Sequence, residues 1–407
     1  MVELTFIRAH ARLLGAGVLL TFASAFGQTY FIAIFAGYFR EEFGLSHGDY
    51  GGLYMIGTLA SAATLIYAGA LADRMSARNL GGGVLFALGA VCLAVTFVPG
   101  WIGLLLAFFG LRLLGQGMTS HVSITAMAKW FDAHRGRAIS IAALGHPVSQ
   151  AVVPLLAVAS ISVFGWRTTW GLSAVFLIVL ALPVFWWCLR DEPDEPVEAA
   201  SAATVARGDI RQWSRREVLA DPLFYAIMLG FLAPPFIGTG VVFHQVHIVE
   251  VKGWSLASFA AGFPVFAAAA VLASLAAGWA TDRFGARRLL PIYLFPQFFG
   301  LLCLSYGDAP IWIFAYMTGA GLTMGCGTAF LNALWVELYG QKNLGAIRAL
   351  AMSAMVFASA LSPYFLGVLI DHGIAIEVQI MWMAAYSGLT VPFFMAIAPA
   401  FVQRETV

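Results

Sequence analysis

From Leu14 to Phe39 the chain runs for 26 residues without a charged side chain. Comparable apolar runs follow at Gly81 to Val98, Leu172 to Leu189, Phe259 to Ala280 and Ala349 to Ile370. A helix needs about 20 such residues to cross a bilayer. In hydrocarbon every backbone N–H and C=O must be satisfied internally, which leaves helices and closed barrels. A barrel strand shows alternation over segments of about 10 residues; these runs are continuous. The chain therefore reads as an all-α polytopic membrane protein.

Composition agrees. Of 407 residues, 61% are hydrophobic and 11% charged, against about 25% charged in a soluble domain. A net charge of +1 supplies no basic footprint for nucleic acid. Cys92, Cys188, Cys303 and Cys326 fall inside apolar runs and read as buried small hydrophobes, not disulfides. Arg8 and Arg12 precede a first apolar segment too long for a secretory signal, so it is expected to stay as a spanning helix.

Charged and Pro/Gly-rich breaks divide the chain into 12 transmembrane helices. They are expected near 11–39, 51–72, 80–98, 101–130, 138–164 and 167–189, then 222–250, 256–280, 289–307, 310–338, 346–370 and 378–402. The implied domains are an N-terminal six-helix bundle over 1–189, an aqueous, mobile linker over 190–221 and a C-terminal bundle over 222–407. With this partition, 18 Lys and Arg fall on one side and only Arg40, Arg167 and Lys252 on the other. Arg112 is left inside the membrane. The positive-inside rule then makes both termini and the linker cytoplasmic. The expected location is the bacterial inner, or plasma, membrane.

The chain also repeats itself. Gly69 to Arg78 reads GALADRMSAR and Gly278 to Arg287 reads GWATDRFGAR, an offset of 209. The same offset relates Gly44 to Gly253, Ser46 to Ser255, Gly136 to Gly345 and Pro154 to Pro363. Both copies start on the same side, so the bundles are parallel repeats, an arrangement that places substrate near the midplane.

On these residues the chain resembles the major facilitator superfamily over essentially its whole length. The two charged phrases are similar to its loop between helices 2 and 3 and the echo between helices 8 and 9. Arg112-Leu-Leu-Gly115-Gln-Gly117 resembles its helix-4 motif. Trp130-Phe131 with Arg135-Gly136-Arg137, followed by Gly165-Trp166-Arg167, is most similar to the monocarboxylate and oxalate–formate branches. The resemblance implies the major facilitator fold and a cytoplasmic latch at Gly69, Asp73, Arg74 and Arg78, echoed at Gly278, Asp282, Arg283 and Arg287. It also implies alternating access and a working monomer. Asp73 is expected to face the positive end of a neighbouring helix. One departure from the branch stands out: helices 1, 8 and 11 carry no mid-span base. Helix 5 lacks the trailing glycines of the drug-antiporter motif, which weakens an efflux reading.

No acidic residue lies in the middle of an expected span, so a carboxylate proton relay is not visible. Arg112 is the one base well inside a span. It costs at least about 2.5–3.5 kcal/mol there, so it should face the bundle interior. Two roles are open to it: bidentate binding of an anionic substrate, or a tie from helix 4 to neighbouring carbonyls. His121, His146 and His244 are candidates for proton coupling, since histidine titrates near neutrality; His146 precedes Pro147, an expected kink. Satisfied packing is the plainer reading for each, and for His247. Gln28, Tyr30 and Gln150 are polar groups near the middle of their helices that need partners; with Gln245, towards the outer end of helix 7, and Asn332, a weaker candidate on helix 10, they complete the candidate substrate set. Thr328, Ser353 and Ser359 are weaker candidates, able to bond their own helices. Phe263 and Phe266 read as packing or gate aromatics.

No spacing suits a metal site or a cofactor. There is no HExxH and no phosphate loop, so an enzyme is not indicated. The reading is a secondary transporter for a small organic anion, monocarboxylate-like, by proton symport or by exchange. The competing reading is efflux of apolar or aromatic compounds.

Overall fold

The computed structural model describes residues 2–193 and 212–402. The side chains of 2–4, Ala329, Asn332 and 398–402 lie outside that description, as do Arg207, Arg211 and Arg404. The chain divides into two compact units, Met1–Thr204 and Val205–Val407.

Both are helical, with no strand among the described residues. In the first unit α1 is a bent pair, Ala11–Gly27 and Thr29–Phe43. It is followed by α2 (His47–Arg74), α3 (Ala77–Val95), α4 (Trp101–Trp130), α5 (Arg135–Phe164) and α6 (Trp166–Cys188). In the second unit α7 covers Pro222–Phe243 and resumes as Gln245–Lys252. Then come α8 (Leu256–Phe284), α9 (Ala286–Tyr306), α10 (Ile311–Tyr339), α11 (Leu344–Asp371) and α12 (Ile376–Val402). A short helix, Val2–Ala9, precedes α1.

The repeat reappears in how helices stop and start. Gly44 and Gly253 end α1 and α7 in the left-handed conformation, at φ 60° and 65°. Glycine is the residue for such C-caps because it has no Cβ to clash. Two residues later Ser46 and Ser255 cap the next helix, their hydroxyls accepting from the Asp49 and Ser258 amides. Such a cap is worth roughly 1 kcal/mol. The 209-residue offset is thus a repeat of local chemistry as well as of letters.

Lipid tails are as apolar as leucine, so helices pack here through small residues. A Cβ on Gly319, Gly321 or Gly325 of α10 would overlap the carbonyl oxygens of Pro296, Phe266 and Ala270 respectively. Those glycines bring the backbones of α9 and α8 against α10. Large rings fill the rest. Phe31, Phe35, Phe39, Tyr50, Phe108 and Trp170 are each fully buried in the first unit. Phe231, Tyr293, Phe330 and Trp335 cluster in the second. Cys92 and Cys188 are buried as expected, while Cys303 and Cys326 are only partly so; all four are free.

The segment read as a mobile linker is anchored where it is described. Asp191 pairs with Arg12 (3.0 Å). At the other end Ser214 caps a short helix, Arg215–Leu219. Asn343 Nδ2 donates to the Trp213 carbonyl (2.8 Å), and Tyr339 donates to Asp221 (2.8 Å). Apolar residues such as Trp213 in a polar stretch are what allow this docking.

Candidate functional site

The first unit brings the mid-span polar residues of α1, α4 and α5 together where two helices are irregular. α1 tightens to a 3-10 turn at Ser24–Gly27, and Gln28 then adopts an extended backbone (φ −84°, ψ 150°). The two halves of α1 meet at a 43° bend. α4 widens to a π-helix over Leu111–Met118. A Cβ on Gly115 would lie 2.7 Å from the Gly27 Cα, and one on Gly27 would overlap the Leu111 carbonyl oxygen. Glycine at both positions permits the crossing. Irregular backbone at membrane depth is tolerated where protein buries it or a cavity adjoins it.

The break has a chemical consequence. The Phe31 and Ile32 amides both donate to the Gln28 carbonyl, so the Gly27 carbonyl has lost its Phe31 partner within the helix. Arg112 takes it: Nη1 donates to Gly27 O over 3.1 Å. The guanidinium sits 5.2 Å from the Tyr54 ring centroid, a cation–π arrangement. The Tyr54 hydroxyl is in turn 2.6 Å from Thr29 Oγ1, just past the break. Arg112 is 3% exposed, and its Nε has no partner among the described residues.

One turn away α5 supplies a second group. α5 is interrupted at Leu144 and resumes at Gly145, so the interruption falls before Pro147, whose missing N–H lies in a first turn where none is needed. A Cβ on Gly145 would overlap the Val18 carbonyl, so α5 approaches α1 backbone to backbone. His146 Nδ1 lies 3.4 Å from Ser24 Oγ, and its ring 6.2 Å from that of Tyr30. Tyr30 OH lies 3.2 Å from Ser149 Oγ, which itself donates to the His146 carbonyl (2.9 Å). Tyr30 is buried, whereas Gln28, His146 and Gln150 are half-buried. Among the described residues the side-chain amides of Gln28 and Gln150 have no hydrogen-bond partner, although the Gln28 backbone N–H donates to the Ala25 carbonyl.

Five of the expected substrate residues, Arg112, Gln28, Tyr30, His146 and Gln150, thus lie on three adjoining helices. Ser24, Thr29, Tyr54 and Ser149 belong with them and carry no sequence signal of their own. Hydroxyls in apolar helices are common, and only the α1 break selects these four.

The other expected residues are in the second unit. His244 occupies the interruption of α7, 4% exposed, its Nε2–H donating to the Pro363 carbonyl (3.1 Å). That acceptor assigns the proton to Nε2. Gln245 is fully buried beside it. The Asn332 side chain lies outside the described residues. Thr328, Ser353 and Ser359 all bond their own helices. Among the described residues no group of three or more His, Cys, Asp or Glu is placed to hold a metal.

The segment from Gly69 to Arg78, which closes α2 and opens α3, is held from α4. His121 Nε2–H donates to the Gly69 carbonyl (3.0 Å), and Lys129 Nζ to the Ala72 carbonyl (2.6 Å). Both satisfy carbonyls at the C-terminal end of α2, and the Lys129 ammonium also opposes the negative end of its dipole. Asp73 makes no hydrogen bond to a helix N-terminus among the described residues: it is largely exposed and 3.6 Å from Lys129. The carboxylate at the α3 N-terminus is Glu192 instead. Arg74 and Arg78 are exposed. In the echo, Asp282 and Arg283 are exposed, Gly278 is half-buried, and Arg283 lies against the Trp279 and Phe284 rings. Arg287 grips Glu337 at the end of α10, Nη2 on its carbonyl and Nε 3.7 Å from its carboxylate.

Comparison with known proteins identifies the family. The family profile described as Major Facilitator Superfamily matches residues 17–363 and 239–406. An uncharacterised transporter of that type, YcxA of Bacillus subtilis, is 24% identical over 335 residues, 77% of this chain and 78% of its own length. The membrane sensor protein UhpC of Salmonella typhimurium is 25% identical over 59% of this chain and 57% of its own length. Two crystal structures of a bacterial homologue of the human lysosomal transporter Spinster superpose with TM-scores of 0.71 and 0.73. They are 16% and 15% identical and cover 97% of this chain, which speaks to fold alone.

Proposed function

The chain belongs to the Major Facilitator Superfamily and is a membrane transporter rather than an enzyme; from that premise we propose that its cargo is a small organic anion, monocarboxylate-like, moved by alternating access. One observation carries the reading. The mid-span polar groups gathered at the α1 break are a cation and neutral donors, with no carboxylate among the described residues in the middle of any span. A buried positive charge without a counter-ion among the described residues, beside unpartnered side-chain amides, suits an anionic guest.

The roles follow from position. Gln28, Gln150 and His146 are half-buried and reach the guest directly. Tyr30 and Ser149 orient the His146 segment. Arg112 supplies positive potential through the break it braces. His244, Gln245 and Asn332 are the second unit's share of the same set. His146 is the first candidate to carry a coupled proton, with His121 and His244 behind it; exchange of one anion for another is the alternative form of coupling. We further propose residues 1–189 and 222–407 as the two working halves, joined by 190–221. The Gly69–Arg78 and Gly278–Arg287 segments are each assigned to the cytoplasm from the Lys and Arg distribution, with both termini there, in a bacterial inner membrane. The working unit is taken as a monomer. The kinship suggested by Trp130-Phe131 and Gly165-Trp166-Arg167 is with the monocarboxylate and oxalate–formate branches.

The test is uptake of labelled small carboxylates into proteoliposomes, with and without an imposed pH gradient. Saturable uptake lost on Arg112→Gln is the expected result. No carboxylate carried by the wild type, with an apolar dye exported instead, would overturn the proposal.

A further inference from the structure

The N-terminus of α3 is capped by a carboxylate from outside the helix. The Ala77 amide donates to Glu192 Oε1 (2.7 Å) and the Arg78 amide to Glu192 Oε2 (3.0 Å). These are two of the four amides a helix leaves without internal partners. They stand at the positive end of its dipole, where a carboxylate is favoured.

In the second unit α9 begins at Ala286, which is 209 residues after Ala77. The Ala286 amide donates to Glu337 Oε1 (2.9 Å) and the Arg287 amide to Glu337 Oε2 (3.4 Å). The same two amides of the repeat therefore hold the same ligand group. Its origin differs. Glu337 belongs to α10, and its counterpart in the first unit is Ala128. Glu192 follows α6, and its counterpart in the second unit is Phe401. The repeat has conserved the chemistry of the cap and exchanged its source.

The source decides how firmly each cap is held. Glu337 sits in the last turn of a 29-residue helix and is gripped by Arg287. Glu192 lies four residues beyond the end of α6, on the segment that joins the two units. Beside it Asp191, 72% exposed, makes the ion pair with Arg12. Arg78, the counterpart of Arg287, is exposed and its side chain has no partner among the described residues. A cavity of about 450 Å³ adjoins the Glu192 cap, lined in part by Met75, Ser76, Ala77 and Lys129. It leaves room for the carboxylate to withdraw.

We infer that Glu192 is a releasable cap through which the joining segment positions the Gly69–Arg78 loop and the start of α3, while the matching loop of the second unit is capped from within its own bundle. Displacement of that segment frees the first loop and leaves the second in place. The cap is defined by hydrogen bonds within one unit, so it can be tested without knowing the cargo, and its failure would leave the anion reading standing.

The test is amide hydrogen exchange on the full chain in detergent micelles, read over 77–80 and 286–289. In the wild type, 77–80 should exchange faster than 286–289. Glu192→Gln should accelerate exchange at 77–80 by roughly 2- to 30-fold, the span expected for loss of a helix cap, with 286–289 unchanged. Glu337→Gln should do the reverse. Adding Ala128→Glu to Glu192→Gln places a carboxylate at the repeat position of Glu337 and should restore protection at 77–80. Unchanged exchange in Glu192→Gln overturns the inference. So does acceleration that Ala128→Glu fails to rescue, because the role would then be something other than capping. Unaltered 286–289 in the Glu192 variants serves as the folding control.

Discussion

Arg112 on α4 holds the Gly27 carbonyl of α1 over 3.1 Å, at the one place where both helices depart from regular geometry. The carbonyl is available because α1 breaks after it. The arginine reaches it because Gly115, one turn along α4, lets the backbones touch. Break, crossing and buried charge are therefore one feature, and each depends on the other two.

Replacing Arg112 with Gln separates bracing from charge. A buried charge is often exchanged for a neutral side chain at little cost in stability. Stability to denaturant in detergent is expected to stay within about 1 kcal/mol of wild type, because the amide is still a donor and the desolvation cost is relieved. Carboxylate uptake is expected to fall at least tenfold. A variant that unfolds readily yet still transports would make Arg112 a brace and nothing more.

Gly115→Ala forces its methyl against the Gly27 backbone, which cannot yield as a flexible side chain would. Overpacking of this kind costs about 1–3 kcal/mol, and uptake should fall with stability. Gly83→Ala on α3 is the matched control, since nothing lies within 4 Å of its added Cβ. There the helix should be unchanged or firmer by about 0.5–1 kcal/mol. Equal behaviour of the two variants in a thermal melt would count against the crossing.

His121 donates through Nε2 to the Gly69 carbonyl, and a carbonyl accepts from neutral and charged imidazole alike. His121→Gln retains a donor and should leave exchange over 69–75 near wild type. His121→Phe removes the donor and should accelerate that exchange several-fold, as expected for one lost hydrogen bond of about 0.5–1.5 kcal/mol. Equal rates in the two variants would mean that the ring packs and does not hold.

The Arg12–Asp191 pair carries a pH signature. The hydrogen bond from Arg12 is the main cause holding the Asp191 carboxyl below its ordinary value, with Arg190 assisting. A lowered folded-state pKa means that the pair contributes at neutral pH. The contribution is lost on acidification through that lowered pKa. Arg12→Gln should move the Asp191 titration, followed by carboxyl carbon resonances, back up toward about 3.9. No movement would place the cause elsewhere.

Much of the fold is legible in the amino-acid sequence. Long apolar runs in a medium without water admit only helices, so the architecture follows from counting them. Ser46 and Ser255, Gly44 and Gly253 announce helix boundaries because capping is local: the cap and its amide are neighbours in the chain. The 209-residue offset is legible for the same reason.

What only the tertiary structure decides is which distant group meets which. Asp73 looks like the helix cap because it lies near α3 in sequence, yet Glu192, over a hundred residues on, takes the two amides. Tyr54, Thr29, Ser24 and Ser149 are ordinary hydroxyls until the α1 break gathers them. Arg112 is conspicuous as a charge in an apolar run, but its acceptor exists only because Gln28 leaves the helix. Sequence determines the helices because their hydrogen bonds are local and lipid permits nothing else. The site is settled by side chains and backbone ends that meet across helices, and local pattern does not encode that pairing.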